Sequence, residues 1–325
     1  MANVAANNQL YPGKKGTNAS NTELWQDLWT GMIWISLKAK TVFTPFIPFR
    51  TLTGTNSLSD KYKGDFTVNA VTGGQDFALQ TTTFNKKVWT VEVILETCAT
   101  FDALVKVQGD FDLPGQIGKG QGKAFAETID KAIAIQGMKA ARTAAESNPT
   151  RPGGTVQTLS AASDADDAEK LVAGIESLVV KMKEKNAFIA GEMKLFMPPA
   201  QAAVIRNHDK VVSSQFSPGN GDFAKAIVHY VAGVEIVETN HLPTSAVASH
   251  QLSTAGNSNA FNVSAAEAKI CALMLHPDAL IAIQAIPLKP EVHVDPRNKN
   301  TYMDVHSAIT VGVRNPVFAG ALYKP

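Results

Sequence analysis

Apolar residues recur at helical spacing in three stretches of this chain and at strand spacing in several more. Over Thr22–Lys40, the residues Leu24, Trp25, Leu28, Trp29, Met32 and Ile33 share one face. Glu23 and Asp27 stand early, and Lys38 and Lys40 late, as the helix dipole favours. Leu113–Glu146 predicts a second helix. It is rich in Ala, Glu, Lys, Arg and Gln from Lys123 onward, with Phe125, Ile129 and Ile133 four apart on one face. Asp112 is its candidate N-cap, Pro114 suits the first turn, and Asn148-Pro149 stops it. At about 1.5 Å per residue such a helix spans roughly 50 Å, a strut rather than one wall of a compact core. The third helix, Asp164–Lys185, carries Ala168, Leu171, Val172, Ile175, Leu178, Val179 and Met182 as one stripe. Ser163 is positioned to cap it, four acidic residues crowd its start, and Lys181, Lys183 and Lys185 close it.

Between the first two helices the pattern changes to period two. Thr44–Arg50, with Pro45 and Pro48, is extended. Residues 51–87 read as a polar hairpin turning at Gly73-Gly74, with Phe66, Val68, Phe77 and Leu79 on its arms. Val88–Thr97 is predicted as one strand, and Phe101–Val107 as a short connecting element. Ser147–Ala162 reads as a loop. Further on, Lys194–Met197 and Gly233–Glu238 are strands, and Pro198-Pro199 opens a short helix over Ala200–Arg206. His241–Val263 is a long polar loop. Ile270–Leu275 and Ala279–Ile286 are strands joined through His276-Pro277-Asp278, and Thr301–Val313 and Val317–Tyr323 close the chain. Helices and strands are mixed without βαβ repetition, so the fold class is α+β.

Composition changes this picture little. The chain has 325 residues, 45% hydrophobic and 18% charged, with a net charge of +1. That suits a folded soluble protein and argues against a broad basic field for nucleic acid. No apolar run is long enough to span a membrane. Residues 1–21 are polar, lack the apolar centre of a signal peptide, and are expected to be a mobile arm. The sequons at Asn18 and Asn262 are accordingly expected to be silent. Cys98 and Cys271, without a CxxC partner, read as small buried hydrophobes. The aromatic face of the first helix, Trp25 and Trp29, needs cover from the chain's own core or from a neighbouring subunit. Its place outside any compact unit favours the neighbour.

Catalytic signatures are missing. Gly115, Gly118, Gly120 and Gly122, with Lys119 and Lys123, suggest a phosphate loop, but Ala124 stands where a magnesium-holding Ser or Thr belongs. The glycines instead soften the start of the long helix, each by about 0.8–1 kcal/mol relative to Ala, and mark it as a bend. His276, Asp278, His293, Asp295 and His306 are ligand types, yet their spacing completes no site. No catalytic residue, cofactor or metal is expected.

The order of parts carries a resemblance over nearly the whole chain. The stretches GVEIVETNHLP (Gly233–Pro243), KLFMPPAQAAVI (Lys194–Ile205) and LMLHPDALIAIQ (Leu273–Gln284) support it. The chain resembles the major capsid proteins of tailed bacteriophages, the Hong Kong 97-type fold, and among them those of short-tailed T-seven-like phages. The resemblance implies an N-terminal arm over 1–47 and an extended loop over 48–87 lying across the adjacent subunit. A peripheral domain would comprise 88–162 with 287–325, including the spine helix, and an axial domain 163–286. It implies self-assembly as hexamers and pentamers, in the host cytoplasm, into an icosahedral virion shell around double-stranded DNA. The partners implied are a scaffolding protein, a portal protein, non-specific contact with packaged DNA, and a decoration protein as a further candidate. Assembly contacts are expected at Trp25, Trp29, Lys61, Lys63, Gly73 and Gly74. The spine's core face is expected at Phe125, Ile129 and Ile133. The covalent cross-link of one branch of the family is not carried over, because Lys61, Lys63, Lys86 and Lys87 have no assignable partner. An encapsulin-like shell around a cargo enzyme is the alternative on the same fold. A soluble α/β enzyme is the alternative from another class.

Overall fold

The structure is a computed structural model. It describes residues 21–64, 66, 68–76, 79, 84–102, 113–147, 150–208, 211, 220–222, 227–295, 297 and 300–325. The predicted arm over 1–20 and the element expected within 103–107 lie outside the described residues.

Among the described residues the α-helices are α1 (Asn21–Lys40), α2 (Leu113–Arg142), α3 (Ala168–Glu184) and α4 (Pro199–Ile205). The strands that build the main sheets are β1 (Phe49–Thr51), β2 (Ser57–Lys63), β3 (Phe84–Thr90), β4 (Leu95–Asp102), β5 (Thr155–Thr158) and β6 (Lys194–Met197). They continue as β7 (Tyr230–Val231), β8 (Val234–Glu238), β9 (Ile270–Leu275), β10 (Leu280–Val294), β11 (Asn300–Val313) and β12 (Ala319–Tyr323). The chain divides into two units, one of residues 1–42, 93–130 and 286–309, the other of 43–92, 131–285 and 310–325.

In the first unit, β4 pairs antiparallel with β11, from Leu95 opposite Ser307 to Asp102 opposite Asn300. The amino-terminal part of α2 covers one face of this pair. Gln121 Nε2 donates to Met303 O (2.9 Å) and Thr97 O (3.4 Å), and Met303 and Val305 are buried. Helix α1 packs on α2 through Trp29 and Ile33, both fully buried. Its end is tied down by the Val42 amide donating to Asp130 Oδ2 at 2.6 Å.

The second unit is built on a six-stranded sheet in the order β7-β8-β6-β9-β12-β5. Strands β6 and β8 are parallel, as are β12 and β5, and β9 runs antiparallel to both β6 and β12. Helix α3 lays Leu171, Val172, Ile175, Leu178, Val179 and Met182 into a core shared with Leu195, Met197, Cys271, Ala272, Met274 and Leu322. At 25 cal/mol per Å², each such side chain contributes about 1.5–3 kcal/mol on burial. Phe43 stacks on Phe196 with ring centroids 4.2 Å apart.

Several predicted boundaries shift, each for a visible reason. Helix α2 ends at Arg142 rather than Glu146. There the returning chain closes on its last turn: the Gly154 amide donates to Thr143 O at 3.0 Å, and Gly153 packs against Thr143 and Ala145 where a Cβ has no room. Helix α3 starts at Ala168, capped by Asp167 Oδ1, which accepts from the Glu169 and Lys170 amides. Ser163 is not the cap, because residues 162–166 form a 3-10 turn held by Asp164, which accepts from the Ala161 amide and from Lys170 Nζ. The run Val88–Thr97 is not one strand. It breaks at 91–94 and splits between β3, paired with β2, and β4, paired with β11. The loop expected over Ser147–Ala162 contains β5, the edge strand beside β12. Strand β10 runs on to Val294, well past the Ile286 expected; its second half is polar and half-exposed, so the apolar pattern ends before the strand does. Cys271 is buried as expected, and burial pushes its thiol up to about 11. Cys98 is exposed, contrary to expectation, and stands opposite Asp304 on the β4–β11 pair.

Candidate functional site

Among the described residues, the most exposed large apolar groups belong to the hairpin. Strands β2 and β3 pair antiparallel in register from Ser57 opposite Thr90 to Lys63 opposite Phe84. Beyond them the described residues are not in strands, so Phe66, Val68 and Leu79 do not form the expected ladder; Phe77 lies outside the described residues. Val68 and Leu79 are 100% and 97% exposed, and Phe66, Phe84 and Val88 more than half exposed. A side chain of this size left in water forgoes the 1.5–3 kcal/mol it would contribute on burial. Gly73 and Gly74 form a turn in open space, Gly74 at φ +93°, a conformation that favours glycine.

The base of the hairpin is held tightly. β1 adds in parallel to β10, with Phe49 opposite Ala282, and Gln284 Nε2 donates to Thr51 Oγ1 at 2.7 Å. The Val91 amide donates to Asn56 O at 2.8 Å. Trp89 lies directly on Gly312, where there is no room for a Cβ, and Thr254 Oγ1 donates to the Glu92 carboxylate. Asp60, Lys61, Tyr62, Lys87, Trp89, Arg151, Asp278 and Arg314 line a cavity of about 430 Å³. Arg314 bridges Asp60 (3.0 Å) and Asp278 (3.3 Å), and Arg151 lies over the Tyr62 ring. Tyr62 donates to Glu146 Oε2 at 2.8 Å; burial and this contact raise its pKa. Burial, followed by the charge of Arg151, pulls the Lys87 ammonium below its ordinary value, and Glu146 opposes this. The arrangement is a clasp that fixes where the hairpin leaves its unit.

The expected contact residues have different fates. Trp29 is corrected: it is fully buried in the chain's own core, and its indole Nε1 donates to Gln121 Oε1 at 2.9 Å. That pairing across 92 positions has no signal in the local pattern. The side chain of Trp25 lies outside the described residues. On the same helix, Trp34 and Ile35 are 47% and 65% exposed. Among the described side chains of α1 these are the large apolar groups left open, and neither belongs to the predicted stripe. Lys61 and Lys63 are exposed on β2, and the Lys63 ammonium lies 4.8 Å from the Phe66 ring centre. Phe125, Ile129 and Ile133 are buried.

The glycines near the start of α2 divide. Gly120 faces open space. At Gly118 an added Cβ would lie 2.9 Å from Trp29 Cδ1 and 3.0 Å from Trp29 O; at Gly122 it would lie 2.6 Å from Ile33 O and 2.9 Å from Ser36 Cβ. Ser36 Oγ also donates to Lys119 O at 2.9 Å. Gly118 and Gly122, one turn apart, therefore let α1 and α2 cross with their backbones nearly touching.

Comparison with known proteins fits this geometry. No curated protein sequence matches. Among solved structures, the mature capsid of bacteriophage PhiM1 superposes with a TM-score of 0.74 at 24% identity, covering 87% of each chain. The capsid of cyanophage P-SCSP1u gives 0.77 at 21% identity over 88% of each. A virus-like particle from Pyrococcus furiosus gives 0.56 at 10% identity, covering 91% of this chain and 98% of that one. These likenesses establish the Hong Kong 97-type fold. Residues 114–323 match the family described as Gp10A-like major capsid proteins, and with that match extending over well more than half its length, the chain belongs to that family.

Proposed function

We propose that this protein builds the icosahedral head of a tailed bacteriophage as hexamers and pentamers, assembled on a scaffolding protein with a portal at one vertex. The shell then encloses double-stranded DNA through non-specific contact. The family match over 114–323 carries the reading. The hairpin supports it: its base is clasped, while Val68 and Leu79 lie open to solvent, as a loop lying across an adjacent subunit requires. The near-neutral charge suits a container that contacts its genome without reading it. The encapsulin-like alternative is less favoured, since the two phage capsids superpose more closely than the Pyrococcus particle. Electron microscopy of the protein expressed alone and with its scaffold tests the proposal. Closed shells of hexamers and pentamers are expected, and a stable monomer under every condition counts against it. The glycine-rich start of α2 is further proposed as the segment that yields when the shell expands. Gly118→Ala/Gly120→Ala procapsids that mature at the normal rate would sink that part.

A further inference from the structure

Strand β11 alternates within the first unit. Met303 and Val305 turn toward α2 and are buried, so Asp304 and His306 turn to the opposite face. Across β4, Cys98 stands opposite Asp304 and Glu96 opposite His306. Strand β10 supplies Glu291. One ligand atom each from Glu291, Asp304 and His306 converge, all within 4.8 Å of one another. Asp304 Oδ2 lies 3.6 Å from His306 Nδ1, too far for a good hydrogen bond. Asp304 Oδ1 is shut off from solvent and accepts no hydrogen bond. A carboxylate oxygen removed from water without a donor is costly and calls for a positive partner. The local ammonium, Lys289, is engaged with Glu291 at 2.5 Å.

We propose that Glu291, Asp304 and His306 bind one divalent transition-metal ion of the Zn²⁺ or Mn²⁺ class. Two carboxylates and an imidazole are the donor set such ions favour, whereas Mg²⁺ and Ca²⁺ prefer oxygen alone. Metal–ligand distances near 2.0–2.2 Å place two donors at most about 4.4 Å apart. The observed separation therefore closes with small side-chain rotations. The ion supplies the Asp304 carboxylate with the positive partner that its surroundings do not. The ion ties β10 to β11 on the face that α2 leaves uncovered, and solvent or a neighbouring chain completes its coordination.

The test uses the full chain, as soluble subunit and as assembled shells, stripped by chelator and titrated calorimetrically with ZnCl₂ and with MnCl₂. One ion per chain is expected. Glu291→Gln, at a half-exposed position where folding is not at stake, should weaken binding at least tenfold. Asp304→Asn/His306→Gln should abolish it, and His293→Gln should leave it unchanged. In parallel, Co²⁺ added to the wild-type protein should give visible ligand-field bands that Glu291→Gln diminishes. Absence of stoichiometric binding, or wild-type affinity in Glu291→Gln, overturns the proposal.

Discussion

Replacing Gly122 by Ala separates two views of the glycines in α2. If they only soften the helix, every Gly→Ala change stabilises it by about 0.8–1.0 kcal/mol. The structure makes Gly122 different. Its new Cβ would stand 2.6 Å from Ile33 O and 3.2 Å from Ile33 Cα, both backbone atoms, against an ordinary carbon contact of about 3.5–4.0 Å. Neither atom can rotate away, so α1 must move outward by up to about 1 Å, loosening Trp29 and Ile33, which are fully buried. Overpacking of this kind costs about 1–3 kcal/mol. After the propensity gain, a net loss of about 1 kcal/mol remains, while Gly120→Ala, in open space, keeps its whole gain. Native-state hydrogen exchange of the soluble subunit reads the difference. For the amides of Trp29 to Lys38, Gly122→Ala should speed exchange about fivefold, and Gly120→Ala should leave it unchanged or slower. Equal or greater protection in Gly122→Ala would refute the close crossing and return the glycines to a role in flexibility alone.

Three further outcomes follow from the second unit and the cysteines. Gly312→Ala should displace Trp89 from the hairpin base and cost about 2–4 kcal/mol in chemical denaturation, with altered Trp fluorescence; an unchanged midpoint would contradict the packing. Glu267 is buried, which opposes its charge, yet Lys139 Nζ at 2.7 Å and the two Ser264 donors outweigh this and hold its pKa below 4.5. Its stabilisation is therefore complete above pH 4.5 and lost as pH falls through the lower folded value, so Glu267→Gln should lower stability at pH 7 by about 1 kcal/mol and flatten the acid limb of the stability curve. A thiol reagent at pH 8 should label Cys98 alone in the folded subunit and both cysteines in denaturant; rapid labelling of Cys271 in the folded state would contradict its burial.

What the sequence revealed depended on whether a residue's role was set by its neighbours in the chain. Helix α3 was legible because its stripe and terminal charges are local, and β6 with α4 because Pro198-Pro199 punctuates them. The split of Val88–Thr97 was not legible, since the apolar alternation continues while the partner strand changes from β2 to β11. Strand β10 looked short because Lys289 and Glu291 face outward in a segment whose ladder, not its hydrophobicity, keeps it extended. Trp29, Gly118 and Gly122 are defined by one another across about ninety positions, and no window along the chain contains that information.

The place of β12 in its sheet also has a consequence in time. Residues 319–323 lie between β9 and β5, so the sheet has a gap at an interior position until this strand is inserted. Until then β9 and β5 have exposed edges and α3 lacks Leu322, part of the core it packs into. Insertion of β12 therefore joins β9 to β5 and completes the core under α3 in one event.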